Sequence, residues 1–295
     1  MKYILAVFFF LFSFLNAYTQ NFKSDFEELV KKNDTLNQNK LLKKWESLNP
    51  NDPDLFISYF NFYFNRSRKE TMSLGKSPTD KKYLEVKDST NKTAAYLGLT
   101  TSYNPEYIKK GFAYIDKGIS IYPNRLDMRF GRIHVLGVIG NYDEFTSKIK
   151  ESIDLGFKIN HNWMWDDDKP LDDPKNFFLI AIQDYVGIIY NTEDDNLLPK
   201  MREISENVLK YEPNHVESLS NVATTYLLIG NYAKALEYLL SAEKIAPKDV
   251  IVLNNIAESY KRMGEKVNSK TYYEKIIKVG NTEDVNTAKE KIKKL

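Results

Sequence analysis

The sequence predicts an all-α protein, an α-α superhelix built from about six stacked pairs of antiparallel helices. The main observation is that residues 216–249 and residues 250–283 repeat one pattern of large, small, aromatic and glycine positions at a distance of 34 residues. Within each copy, apolar residues recur at i, i+3, i+4 and i+7, which is one face of a helix. In the first copy, Gly230 lies between the two predicted helices and Pro247 follows the second, where these residues typically end helices.

The first copy is built on Leu219, Val222, Ala223, Tyr226, Gly230, Ala235, Leu239, Ala242 and Pro247, and the second on Leu253, Ile256, Ala257, Tyr260, Gly264, Ser269 and Tyr273. This spacing resembles the tetratricopeptide repeat, whose period is about 34 residues. The resemblance implies helix–turn–helix units that stack on a shared core and form a curved surface for protein or peptide partners. Small residues such as Ala235 and Ala242 are expected where two helices approach closely.

The first residues have the layout of a signal peptide. Lys2 is followed by the apolar run from Tyr3 to Leu15 and then by the small residue Ala17. The run is shorter than the roughly 20 apolar residues of a membrane-spanning helix, which is the alternative interpretation. We therefore expect a signal peptide at residues 1–17, with cleavage as late as Gln20 as an alternative. The mature chain would be exported to a periplasmic or secreted location, without a membrane span.

The solenoid is expected to occupy residues 24–295. The Ser24-x2-Glu27 pattern predicts a capped short helix, and Pro53–Phe64 predicts a first helix whose partner appears only at Pro105–Ile121. An insertion at about residues 66–104 separates the two. Within it, Tyr83–Lys87 and Thr93–Leu99 flank a polar turn, which is typical of a β-hairpin. The alternative for this segment is a disordered loop.

Another clear repeat covers residues 126–159, because Gly140-Asn141-Tyr142 has the same sequence as Gly230-Asn231-Tyr232. A second insertion, at about residues 160–173, interrupts the pattern before a helix at Pro174–Tyr190, for which Asp173 is the predicted N-cap. Its partner is expected to end near Tyr211. A lysine-rich helix from Glu283 to Leu295 is expected to cover the last repeat.

Composition excludes several kinds of chemistry. The formal net charge of the chain is only +2, so no global field indicates nucleic acid or an anionic membrane as a partner. The chain has no cysteine, and none of its three histidines lies four residues from another, so a helical zinc pair is absent. No phosphate-binding glycine loop or nucleophile elbow occurs. We expect neither an enzyme nor a bound cofactor.

One loop concentrates side chains that bind metals. A calcium site is one interpretation of the loop, since oxygen ligands in a flexible segment suit that ion. The other is a solvated acidic loop that caps the next helix. Trp163 and Trp165 of the same loop predict either a binding edge or a hydrophobic clasp over that helix. The side chains concerned are His161, Asp166, Asp167, Asp168, Asp172 and Asp173.

The resemblance places the binding surface on the inner side of the superhelix, on the outward positions of the first helices. The polar residues in the last repeat are similar to those of repeats that grip a C-terminal carboxylate, but Ser220 and Thr224 replace the amide and lysine of that subset. The expected function is a non-enzymatic protein- or peptide-binding scaffold, an adaptor or assembly factor. The alternatives are an envelope accessory protein for glycan or nutrient uptake, and an enzyme or metal site on the 160–173 loop. The predicted partner-binding residues are Phe130, His134, Ser220, Thr224, Asn254, Asn255, Glu258, Lys261 and Arg262.

Overall fold

The computed structural model describes residues 21–77, 83–166 and 169–295. The predicted signal peptide therefore lies outside the described residues. The helices are α1 Phe22–Lys31, α2 Thr35–Leu48, α3 Pro53–Ser67, α4 Pro105–Ile121, α5 Leu126–Val138, α6 Tyr142–Lys158, α7 Pro174–Tyr190, α8 Leu198–Tyr211, α9 Val216–Leu228, α10 Tyr232–Ile245, α11 Val250–Arg262, α12 Lys266–Val279 and α13 Thr282–Lys293. The strands are β1 Arg68–Gly75, β2 Tyr83–Lys87, β3 Thr93–Tyr103, β4 Met164–Trp165 and β5 Lys169–Pro170.

Within these described residues, consecutive helices form six pairs, from α1/α2 to α11/α12, and α13 packs on the last pair. This confirms the predicted all-α superhelix with about six helix pairs. The core is a chain of apolar clusters, of which four are shared by neighbouring pairs and the last joins α11/α12 to α13. None of the helices in this part of the chain is long and apolar enough to cross a membrane.

Left-handed glycines form the tight turns inside three of the pairs. Gly140, Gly230 and Gly264 have φ angles of 74°, 76° and 82°, a conformation that costs glycine little. In the first two turns the next residue is asparagine, and its side chain accepts a hydrogen bond from the third residue of the following helix, at 3.3 Å for Asn141 and 3.1 Å for Asn231. The repeated Gly-Asn-Tyr sequence is thus a combined helix stop and helix start.

Helices α3 and α4 pack together although a long segment separates them in sequence, as predicted. Gly118 of α4 permits this approach. A Cβ atom there would lie 2.9 Å from both the Met128 sulfur and the Cβ of Phe56, closer than real contacts allow. Aromatic rings fill the rest of the contact, with Tyr59 and Tyr114 stacked at 4.0 Å between centroids.

The first insertion is an antiparallel sheet with the strand order β1-β3-β2. The predicted β-hairpin is confirmed by β2 and β3, although β3 extends to Tyr103 and a third strand, β1, was not predicted. Thr71 pairs with Thr100 and Leu74 with Leu97, so β1 runs along β3 from Tyr96 to Tyr103 and β3 is the central strand. Its sequence begins with charged residues and is exposed along most of its length, which hides the usual alternation of a strand.

The second insertion is a small clasp on α7. Strands β4 and β5 pair, Trp163 is 1% exposed and stacks on Phe178 at 5.6 Å, and Trp165 meets Phe177 edge-to-face at 5.2 Å. Of the two interpretations of the tryptophans, the structure supports the clasp over the next helix.

One predicted helix start is wrong, and a second is right in position but lacks the expected hydrogen bond. The first helix is capped by Asn21, whose side chain accepts a hydrogen bond from the Ser24 amide, so Ser24 lies inside the helix. Asp173 does occupy the N-cap position of α7, but its φ is 44° and its side chain makes no capping hydrogen bond. This left-handed conformation replaces the extended one that a capping side chain normally needs.

Candidate binding surface

A groove of about 390 Å³ lies between the first helices of two successive pairs, α7 and α9, and ends at the start of α11. We call it the α7–α9 groove. Its α9 side consists of Glu217, Ser220, Asn221 and Thr224, which follow one another at i, i+3, i+4 and i+7 and so share one face. The residues that complete the groove are Gln183, Val186, Gly187, Tyr190, Met201, Val216, Asp249 and Ile251.

Two side-chain amides connect the walls of the groove. The Asn221 amide donates a short hydrogen bond to the Gln183 carbonyl oxygen, and the Gln183 amide donates to the Ser218 hydroxyl at 3.4 Å. Thr224 donates its hydroxyl proton to the Ser220 carbonyl oxygen at 2.9 Å. The groove therefore presents a row of fixed amides and hydroxyls, groups that can exchange hydrogen bonds with a peptide backbone.

Apolar side chains stand at both ends of this polar row. Tyr190 is 49% exposed and Ile251 is 69% exposed. The charged groups of the lining are Glu217 and Asp249, and the Asp249 carboxylate accepts the Ile251 and Val252 amides at 2.9 and 3.1 Å. The combination of neutral hydrogen-bonding groups with exposed apolar anchors suits an extended chain with apolar side chains better than a small charged ligand.

The structure brings two of the predicted binding residues together in this groove, Ser220 and Thr224. Phe130, in contrast, is a core residue. It is 8% exposed and its ring stacks on Phe178 at 5.9 Å, with the Tyr185 ring edge-on at 5.4 Å. The clasp and α7 leave Phe130 little surface for a partner, and its binding role stays a prediction. His134, on the same helix, is exposed.

Helix α13 contacts two of the five polar residues that were predicted to bind a partner in the last repeat, Asn254 and Glu258. Lys291 of α13 donates to Asn254 at 2.8 Å and lies 2.9 Å from a Glu258 oxygen, and Tyr273 donates to the same oxygen at 2.7 Å. Burial alone would raise the pKa of Glu258, but the hydrogen bonds from Tyr273 and Lys291 outweigh it and lower the pKa. Asn254 and Glu258 thus bind the covering helix.

The other three predicted residues of this repeat take no part in these contacts with Lys291 and Tyr273. Asn255 and Lys261 are half-buried, and Arg262 is exposed near the end of α11. They are not part of the α7–α9 groove.

The described part of the acidic loop forms no metal-binding cluster with His161. His161 is 5% exposed and contacts Phe157 edge-to-face at 4.6 Å. Burial lowers its pKa, and Lys175 lowers it further. Asp166 is paired with Lys23 of α1 at 2.5 Å. Asp167 and Asp168 lie outside the described residues, and the described ones contain no cluster of three or more His, Asp or Glu side chains suited to a metal ion.

Reasoning from the sequence missed Gln183, Tyr190, Asn221 and Ile251. Gln183 carried a usable signal, since it is an uncharged polar residue in the middle of a helix that is apolar almost all round. Ile251 carried no such signal, because its exposure depends on how the first turn of α11 packs beside α9.

Comparison with known proteins identifies the repeats in the C-terminal part of the chain. Residues 216–249 and 251–279 match the family model of the tetratricopeptide repeat. The chain is therefore an α-α superhelix that contains tetratricopeptide repeats, a kind of scaffold associated with protein binding. Among curated proteins, none matches the sequence.

Several solved structures of repeat proteins are similar in fold. A thermophilic TPR protein from Thermus thermophilus is 13% identical, with a TM-score of 0.38, over 65% of this chain and 93% of that one. The C-terminal part of a TPR repeat-containing protein from Cytophaga hutchinsonii is 12% identical, with a TM-score of 0.43, over 87% and 78%. YrrB, described as a TPR protein with an unusual peptide-binding site, is 13% identical, with a TM-score of 0.42, over 84% and 97%. At these identities and TM-scores the likenesses say nothing about what this chain binds.

Proposed function

We propose that the chain is a non-enzymatic scaffold, an adaptor or assembly factor, that binds an extended segment of a partner protein in the α7–α9 groove. The observation that carries the proposal is the groove itself. It places the amides of Gln183 and Asn221 and the hydroxyl of Thr224 between two exposed apolar side chains. Backbone hydrogen bonds would give affinity, and the apolar ends would select the side chains of the partner.

We further propose that this scaffold works outside the cytoplasm. The support is the N-terminal sequence, in which one lysine precedes the apolar run 3–15 and the small residue Ala17. Mass determination of the N-terminus of the exported protein tests this step, with Ala17 or Gln20 as the expected last residue of the removed segment. A protein that keeps Met1 and stays in the cytoplasm contradicts it.

The binding test is a substitution that fills the groove. Thr224→Arg places a long side chain into it, and we expect at least about a tenfold loss of partner captured from the cell envelope fraction, since the side chain would occupy the space of the bound segment. The matched control is Thr271→Arg. Thr271 also donates its hydroxyl to the carbonyl four residues earlier, at 3.0 Å, but lies on the exposed surface of α12.

Equal capture by the two variants contradicts the proposal. Both proteins must keep the wild-type unfolding midpoint to within a few degrees, as surface substitutions usually do. If both variants lose capture of the partner, the added charge is the cause, and this result also contradicts a role for the groove.

A further inference from the structure

The sheet of the first insertion has one apolar face and one polar face. Side chains alternate along a strand, and directly paired residues share a face. Met72 pairs with Leu99, and Leu97 pairs with both Leu74 and Leu84. The same face continues to Val86, opposite Ala95, while its end near the helices carries Glu70 opposite Thr101 and Arg68 opposite Tyr103. The other face carries mainly hydroxyl and charged residues, which are Lys69, Thr71, Ser73, Tyr83, Glu85, Thr100 and Ser102.

The apolar face is open to solvent. Leu84 is 69% exposed, Leu74 67% and Met72 66%, and Leu99 and Val86 are 53% and 40% exposed. A contiguous exposed apolar patch of this kind marks an interaction surface. The face shares no residue with the α7–α9 groove.

Basic side chains lie at the end of the sheet that is far from the helices. Lys76 follows β1, Lys87 ends β2, and Lys92 belongs to the turn into β3, and all three are exposed. The acidic residue of that turn, Asp88, accepts hydrogen bonds from the Thr90 and Lys92 amides at 2.8 and 3.0 Å, so it serves to shape the turn. Residues 68–103 hold seven lysines and arginines against four acidic residues, in a chain whose net charge is only +2.

Size and charge decide which occupant fits. Strands β1 and β3 pair over eight residues but β2 and β3 over only five, so the face has an area on the order of 350 Å² at about 4.8 Å between strands and about 3.4 Å per residue. Two copies placed face to face would bury roughly 700 Å², less than the approximately 1,200 Å² of stable interfaces. A lipid surface needs only a modest apolar contact combined with basic residues near anionic headgroups.

From these observations we propose that the insertion is a peripheral membrane-docking element, in which Met72, Leu74, Leu84 and Leu99 enter the lipid interface and the lysines at the far end meet anionic headgroups. The contact is reversible and lies on a different part of the molecule from the α7–α9 groove. Anchoring by the sheet would leave the superhelix free to hold its partner beside the membrane.

Sedimentation with lipid vesicles tests the proposal. The predicted mature chain, which starts at Tyr18, is used, because the apolar run 3–15 would itself enter lipid. We expect it to bind vesicles of phosphatidylcholine mixed with phosphatidylglycerol, to bind pure phosphatidylcholine more weakly, and to lose the difference at high salt. Leu74→Gln with Leu84→Gln should lower the partition at least about tenfold.

The control is Leu36→Gln with Val267→Gln, which removes apolar groups that are 66% and 80% exposed on α2 and α12. This variant should bind as the wild type does. A second probe, Lys76→Glu with Lys87→Glu and Lys92→Glu, should abolish the preference for anionic vesicles, and Thr224→Arg should leave vesicle binding unchanged.

Three results would overturn the proposal. The first is the absence of binding to either kind of vesicle. The second is equal binding by the sheet variant and the helix control. The third is a dimer in light scattering that Leu74→Gln with Leu84→Gln dissociates, which would assign the face to a second copy.

Discussion

The pairs α5/α6 and α9/α10 have the same turn but opposite distributions of side-chain size. Both turn through Gly-Asn-Tyr, so residues 90 positions apart correspond. Where α10 has Ala235, α6 has Phe145, and where α9 has Leu227, α5 has Gly137. A Cβ on Gly137 would lie 2.9 Å from the Phe145 ring, so the large residue of one helix occupies the space left by the small one of the other.

A buried arginine is the second difference. Arg132 occupies the position that corresponds to Val222 of α9, and it is 6% exposed. Its guanidinium donates to Asp116 at 2.5 Å and to Glu144 at 2.6 Å, and lies 4.2 Å from the centroid of the Phe112 ring. The comparison teaches that the turn fixes how two helices meet, whereas the core between them can be filled in several ways. Only the α9/α10 type is recognised by the family model, together with α11/α12.

The largest expected effect follows from Phe145. It is fully buried, so Phe145→Ala should lower the free energy of unfolding by about 3–5 kcal/mol, although alanine is the natural residue at the corresponding position of α10. Denaturant unfolding measures the change. Tyr142→Ala, at the half-buried start of the same helix, serves as the control and should cost clearly less. If the two variants lose similar free energies of unfolding, the inferred exchange of large and small side chains between the two helix pairs is contradicted.

The opposite substitution tests the second pair. Ala235 is fully buried where α9 and α10 meet, so Ala235→Leu should overpack the contact and cost about 1–3 kcal/mol. Ala233→Leu, an exposed position of the same helix, is the matched control and should stay within about 0.5 kcal/mol. An unchanged unfolding midpoint for Ala235→Leu would mean that the register of this repeat is incorrect.

The contrast between the pairs also explains what could be predicted from the sequence. The helix pairs, the left-handed Gly230 and the hairpin follow from periodicity and turn residues, which are local. Strand β1 and the burial of Phe130 depend on tertiary contacts, with β3 and with the clasp, that no local pattern records. Likewise, Ser220 and Thr224 lie at regular positions of a repeat, whereas Gln183 and Tyr190 enter the groove because of how α7 packs beside α9.

A smaller effect concerns pH. Burial lowers the pKa of both His161, in the clasp after α6, and His215, before α9. Between the unfolded pKa of about 6.5 and the lower folded value, the unfolded chain binds more protons. Stability is therefore fully present above about pH 6.5 and should decrease as the pH falls below it.

His161 should cause much of this loss, since both of its ring nitrogens lack a hydrogen-bond partner. The charged groups facing it are Lys175, which disfavours the imidazolium, and Glu212, which favours it. His161→Phe should flatten the dependence of unfolding free energy on pH. His215→Asn keeps a capping side chain for α9 and should flatten it less. An unaltered pH profile for His161→Phe would contradict the assignment.

The smallest effect on stability is expected at the last pair, α11/α12, which extends the comparison to a repeat covered by another helix. Asn255→Ala with Arg262→Ala removes polar groups that lie apart from the contacts of Asn254 and Glu258 with Lys291. The unfolding midpoint should therefore stay within a few degrees of the wild type.

Capture of the partner is the informative measurement for this double variant. If the bound segment continues from the α7–α9 groove along α11, the loss of two hydrogen-bonding side chains should weaken capture, but less than Thr224→Arg does, because α13 already occupies the inner side of α11 at Lys291. If the double variant captures as much partner as the wild type while Thr224→Arg captures less, the binding surface ends at Ile251. Wild-type yields from both variants would remove the inner face of the superhelix from consideration, since neither its open groove nor its covered end would then contribute to binding.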